Sequence, residues 1–226
     1  MAAMTRIHAQ GSLIPEVAKR LEQLDQKKKT LTTLCMRMMQ ADGGKGFPLD
    51  FLAMAVFKRA LAVAGGFRVL VKEANFLCAA ALVRLQMDSA LRFVAASLVD
   101  DPHALALRVM AGEHVRKIPD RHGKKMTDRH LLDEIAKVAP WARDAYDKAS
   151  GFVHLSDVHM FSPVTRVGSR KIGLSIGEQD PHVHPSRWIE LVSTFNAATD
   201  LVVWVLESWT QTKERAADGG GQPGPR

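Results

Sequence analysis

At 226 residues the chain is long enough for one domain with a real core, and its 46% hydrophobic and 24% charged residues exclude disorder as the starting assumption. The net charge of +7 suits anionic partners such as nucleic acid or acidic lipid headgroups. Only two cysteines are present, Cys35 and Cys78, which excludes a disulfide framework and leaves too few soft ligands for a zinc–thiolate site.

The first residues lack the continuous apolar core of a signal peptide. The longest apolar run, Ala74–Val83, is closed by Arg84, and Leu201–Leu206 lies between Asp200 and Glu207, so no membrane span is expected and the location read from the chain is cytoplasmic. Residues 1–13 read as a flexible N-terminus, 14–215 as a single helical domain, and 216–226 as a disordered Gly/Pro-rich tail.

The first helix is predicted from Ile14, with Ser12 as its cap and Pro15 in its first turn. Val17, Leu21, Leu24, Lys28, Leu31, Cys35 and Met38 follow as a heptad seam interrupted by one lysine, the pattern of a bundle helix with a less buried middle. Gly43–Pro48 is a loop; its Gly-Lys-Gly lacks the Ser or Thr of a phosphate-binding loop. Asp50 is predicted to cap a second helix ending near Ala64, before Gly65-Gly66. A third helix over Phe67–Val99 is predicted to be the longest and central, because Phe76–Val83 is apolar on all sides. Arg84, Asp88 and Arg92 then form a charge ladder at spacing four.

Asp101-Pro102 opens a helix through Val115, and His114–Lys125 reads as an exposed basic connection. Thr127 caps a helix to Val138, and Pro140 opens the next. After Met160 the pattern changes to Val164–Val167, Gly168-Ser169 and Arg170–Ile176, a β-hairpin placed at about residues 160–178. A last helix after Pro185 carries Trp188, Leu191, Phe195, Ala198, Val202, Val205 and Trp209 as one apolar stripe. The fold class is mainly α: a helical bundle with a small β-hairpin insertion.

Chemistry concentrates in Tyr146–His159, which holds the only tyrosine and two of the nine histidines. Read as one helix over Trp141–Asp157, at about 100° per residue, it places Trp141, Ala142, Ala145, Ala149, Phe152 and Val153 on a core face. Arg143, Tyr146, Asp147, Ser150, His154 and Asp157 gather on the opposite, outward face. His154 there suits general acid–base work, with Asp157 to orient it, Ser150 and Tyr146 to donate hydrogen bonds, and Arg143 to hold a phosphate. The same row reads equally as a polar face without chemistry. His154, His159, His182 and His184 lack the spacing of a shared metal site, so no metal and no cofactor are expected.

The Tyr-x3-Ser-x3-His row, with the upstream helix Arg84–Arg92, resembles a family of uncharacterised bacterial helical proteins similar to the HEPN superfamily, over roughly Phe67–His159. That resemblance implies a four- or five-helix bundle, often dimeric. It also implies RNA binding or metal-independent RNA cleavage through an Arg-x4–6-His motif, in toxin–antitoxin or defence settings. His154 matches the motif histidine, but the basic residue at that spacing is Lys148, which lacks arginine's planar fork. Lys148 also lies about 120° from His154 around a straight helix.

On this reading His154 assists attack by a ribose 2′-hydroxyl while Ser150, Tyr146, Lys148 and Arg143 position the phosphate. Arg116, Lys117 and Arg121 hold the RNA backbone electrostatically. The alternative is a non-catalytic dimerisation or protein-interaction module, with the His154 face as the interface. A homodimer is expected, and the alternative also admits a different protein partner.

Overall fold

Apolar residues at steps of three and four dominate the chain, and in the computed structural model, which describes residues 8–9, 12–167 and 171–218, they become helices packed around α3. A short antiparallel ladder, β1 (His8–Ala9) with β2 (Ser12–Leu13), precedes α1 (Pro15–Gln40). A 3-10 turn at Ala41–Gly44 leads to α2 (Pro48–Lys72), then α3 (Phe76–Val94) and α4 (Pro102–Met110). α5 (Asp128–Ala136), α6 (Trp141–Val153) and the short α7 (Asp157–Phe161) follow. β3 (Val164–Val167) and β4 (Ile172–Leu174) form an antiparallel hairpin, and α8 (Pro185–Asp218) closes the chain. The architecture is mainly α with a small β-hairpin, as the periodicity predicts.

Pairings between helices give their directions. Arg20 reaches Ser193, Lys27 reaches Asp200 and Arg37 reaches Glu207 and Glu214, so α1 and α8 run parallel. Gln86 meets Thr199 and Phe76 meets Trp188, so α3 also runs parallel to α8. α2 is antiparallel to α8, with Asp50 on Trp209 and Phe67 stacked on Phe195 at 3.8 Å. α6 is antiparallel to α3, with Phe152 against Phe76 and Tyr146 against Arg84. The predicted seam residues Val17, Leu21, Leu24, Leu31 and Met38 are buried, and so is the α8 stripe from Trp188 to Val205.

Several boundaries differ from the sequence reading. Ser12 lies in β2, and the cap position of α1 is Ile14, without a side-chain cap. α2 begins before Asp50 and runs through Gly65-Gly66, because one helical glycine costs only about 1 kcal/mol. A Cβ on Gly66 would sit 3.5 Å from the Leu82 side chain, an ordinary packing contact, so the site would also take a small side chain.

The break comes instead at Glu73–Asn75, where Ala74 has φ 56°. Asn75 caps the Cys78 N–H of α3, and Asp180 accepts the N–H groups of Phe76 and Leu77 from across the fold. The longest helix is α8. By length and composition α8 could cross a bilayer, but 56% of that apolar window is buried inside the bundle, as in a core helix. α8 also extends to Asp218, past the expected start of the tail; residues 219–226, 168–170, 1–7 and 10–11 lie outside the described residues.

One polar group sits deep in this core. The Lys213 ammonium, only 2% exposed, donates to Met38 O, Lys45 O and Asp50 Oδ2 at 2.9–3.1 Å. Asp50 also accepts the Phe47 N–H at 2.9 Å and the Trp209 indole N–H at 2.8 Å. Three donors meet three acceptors, which is the condition for a buried ammonium to be tolerated. Asp50→Ala is therefore expected to cost about 3–5 kcal/mol by stranding the lysine. Asp50→Leu combined with Lys213→Met should recover only part of that loss in urea unfolding at neutral pH, because the Phe47 and Trp209 N–H groups and the Met38 and Lys45 carbonyls lose their partners.

Candidate functional site

The second half of α3 carries Arg84, Asp88 and Arg92 along one face, and that face is covered by α5 and α6. Covered charges require partners, and the neighbouring elements supply them. Arg84 reaches Asp88 at 3.3 Å and Asp128, the first residue of α5, at 2.9 Å. Arg92 bonds Asp88 at 2.8 Å and also bonds Asp128. Arg59 of α2 joins through Asp88 at 3.2 Å and the Ser89 hydroxyl at 3.0 Å. The sequence reading identified the ladder but neither Arg59 nor Asp128, which are remote in the chain and unmarked by any motif.

Tyr146 closes this cluster. Its ring lies under the Arg84 guanidinium, 3.7 Å from the ring centroid, and its hydroxyl donates to Asp128 Oδ2 at 3.0 Å. At 7% exposure it belongs to the core, which corrects the expected outward face. Trp141 and Val153, expected on the core side, are exposed. The reason is amphipathicity: tyrosine reads as polar in a helical wheel, yet its ring buries readily wherever its hydroxyl finds an acceptor.

The electrostatics follow from the contacts. Burial works to raise the Asp128 carboxyl, but the Arg92 guanidinium, the Tyr146 hydroxyl and Arg84 outweigh it and hold it below its usual range. Burial pushes the Tyr146 phenol far up, with Asp128 and Asp88 adding to the effect against Arg84. Tyr146 is thus a fixed hydrogen-bond donor rather than a proton-exchanging group near neutral pH.

The other predicted site residues are placed elsewhere. Ser150 Oγ donates 2.8 Å back to the Tyr146 carbonyl, within its own helix. α6 ends at Val153, so His154 is not helical; it is exposed in extended backbone at φ −108°. Lys148 is exposed, pairs with Asp144 at 2.9 Å, and its ammonium is raised by that hydrogen bond. Arg143 donates to Asp133 at 2.6 Å.

The four expected catalytic groups therefore point four ways: to an ion cluster, to backbone, to a surface pair and to solvent. The cleft beside Lys148, between Phe76, Val83, Phe152 and Leu191, holds about 110 Å³. That is well below the roughly 300 Å³ at which ligand pockets begin.

Within the basic connection, Arg116 and Lys117 are exposed on a 3-10 turn, with Arg116 on an open groove shared with Arg92 and His114. Arg121 is committed to structure, its guanidinium donating to the carbonyls of Ser97 at 2.7 Å and Val99 at 2.9 Å. The connection folds around Asp120, which accepts the N–H groups of His122 and Lys124 and bonds the buried His130 ring at 2.8 Å. No set of three His, Cys, Asp or Glu side chains suited to a metal is gathered among the described residues.

A different feature stands out between α6 and α8. This arm, residues 153–177, holds α7 and the β3–β4 hairpin. Val153, Leu155, Met160, Phe161, Val167, Ile172, Leu174 and Ile176 are all exposed, Leu155 at 85% and Ile176 at 88%. Ile172 and Leu174 of β4 and Ile176 just beyond it face outward, whereas Gly173 and the following Ser175 face inward and are half-buried. Val167 pairs with Ile172 across the ladder and so shares its face. The alternation was visible in the sequence as Ile-Gly-Leu-Ser-Ile, but not which of its faces turns outward.

No protein-family model, curated protein or solved structure matches the chain.

Because Tyr146 is the only tyrosine, its ionisation can be followed alone by phenolate absorbance. A raised folded pKa adds stability that is complete below the unfolded value of about 10 and is lost as pH rises through the folded value. The folded protein should show no phenolate near pH 10, while the urea-unfolded chain titrates there; coincident curves would refute the Asp128 contact. Asp128 has the opposite sign. Its stabilisation is present above about pH 4 and is lost as pH falls further. Asp128→Asn should therefore flatten the acid limb of stability against pH, measured by denaturant midpoints.

Proposed function

We propose that this chain is a non-catalytic protein-interaction module: a helical bundle that presents the 153–177 arm to a partner. The observation that carries this reading is the reversed polarity of the arm, with large apolar side chains outward and Gly173 and Ser175 inward. Burying a side chain such as Leu155 or Ile176 gains about 1.5–3 kcal/mol, and eight exposed large apolar side chains within one short arm are unlike the singly scattered ones of an ordinary surface.

The arm is held at both ends, as a presented surface requires. Near its start, Ser156 Oγ donates to Gly151 O at 2.7 Å, and the Ser156 N–H donates to His159 Nδ1 at 3.3 Å. Beyond its end, Asp180 is fixed to the first turn of α3, and within the arm the Ser175 N–H donates to Pro163 O at 2.8 Å.

RNA binding or metal-independent cleavage in the manner of HEPN-like proteins is the rival. Its support is the net charge of +7 and the exposed Arg116 and Lys117. Against it stands the dispersal of Tyr146, Ser150, Lys148 and His154, since cleavage needs base and phosphate-holding groups within reach of one bond. His154, exposed beside Leu155, belongs on this reading to the interaction arm.

Purified protein incubated with labelled RNA in EDTA is expected to leave it intact. Cleavage by the wild type that disappears in His154→Ala would overturn the interaction reading in favour of the ribonuclease.

A further inference from the structure

We infer that the partner of the 153–177 arm is a second copy of this chain, joined about a two-fold axis through the outward face of β4 and its flanks; this rests on the interaction-module reading above. From Ile172 to Gly177 there is no ionisable residue; the ionisable residues of the arm, His154, Asp157, His159, Arg166, Arg170 and Lys171, fall outside that stretch. A partner selected by charge finds nothing to read on the Ile172–Gly177 stretch itself. An uncharged apolar face is matched by itself across a two-fold axis, and homodimer interfaces are the most apolar of protein contacts.

At about 25 cal/mol per Å², the burial gain of a large apolar side chain corresponds to on the order of 100 Å². Eight such side chains, 47–88% exposed, leave on the order of 560 Å² to bury, which matches the apolar share, about 65%, of the roughly 800 Å² that each partner contributes to a homodimer interface. Among the described residues β3 and β4 pair only with each other, and a two-stranded ribbon alone is marginal in water. Two hairpins packed face to face give each the second layer that it lacks.

The test is the molar mass of the full-length protein by light scattering across a concentration series. The wild type is compared with Ile172→Lys/Ile176→Lys, whose side chains are largely exposed, and with Val69→Lys, an exposed apolar position outside the arm. Far-UV circular dichroism and thermal melts confirm that each variant is folded.

Twice the protomer mass for the wild type and Val69→Lys, with association weakened about 100-fold in the arm variant, supports the proposal, at 1.4 kcal/mol per tenfold. A wild type at single mass throughout, or a dimer that the arm variant leaves intact, overturns it. Anilinonaphthalene sulfonate fluorescence then separates the two ideas. A monomer that binds the dye, and loses it in the arm variant, keeps the interaction module but with a different occupant. A monomer showing no such difference removes both.

Discussion

Where α3 passes between α2, α5 and α6, three guanidinium groups share two carboxylates and a phenol, and the arrangement around the candidate site follows from that balance. Charges on a covered helix face are tolerated only when paired. Asp128 is consequently drawn to the first turn of α5, Arg59 is recruited from α2, and Tyr146 turns inward to donate to Asp128. Once Tyr146 is committed to that cluster, it cannot share an outward face with His154. The constraint that organises the middle of the bundle also dissolves the polar row that had looked like a site.

A second lock works at the other end. The buried Lys213–Asp50 pair ties the last turns of α8 to the corner between α1 and α2, through two backbone carbonyls as well as the carboxylate. Such a pair contributes little net stability compared with an apolar replacement, but it penalises every register in which its partners miss each other. Together with the exposed pairs along α1 and α8, it fits the parallel alignment of two helices far apart in the chain. The arm leaves this locked body between α6 and α8, tied at each end, with its large side chains exposed.

The helical periods of α1 and α8 were legible because burial on one side writes itself into residue spacing: Val17, Leu21, Leu24 and Leu31 are buried as their pattern predicts. Two caps acting within a few residues were legible too, Asp101 on His103 and Ala104 and Thr127 on His130, whereas the cap positions of α1 and α2 fall on Ile14 and Phe47. The break between α2 and α3 was misplaced at Gly65-Gly66 because its true position depends on Asp180, more than a hundred residues away. Arg121 read as a cation for RNA because nothing local reveals that its donors end on the carbonyls of Ser97 and Val99.

By itself, then, the sequence determined the class of the fold, most helix cores, the hairpin and the concentration of unusual residues at 146–159, all of which depend on neighbours within one or two helical turns. Only the tertiary structure decided which way those residues point. Tyr146 turns inward because an acceptor from α5 waits there, α6 ends before His154, and the large residues of β4 face out while Gly173 and Ser175 face in. Each of these depends on a partner brought close by packing, and a linear chain does not display distances between residues it has yet to bring together.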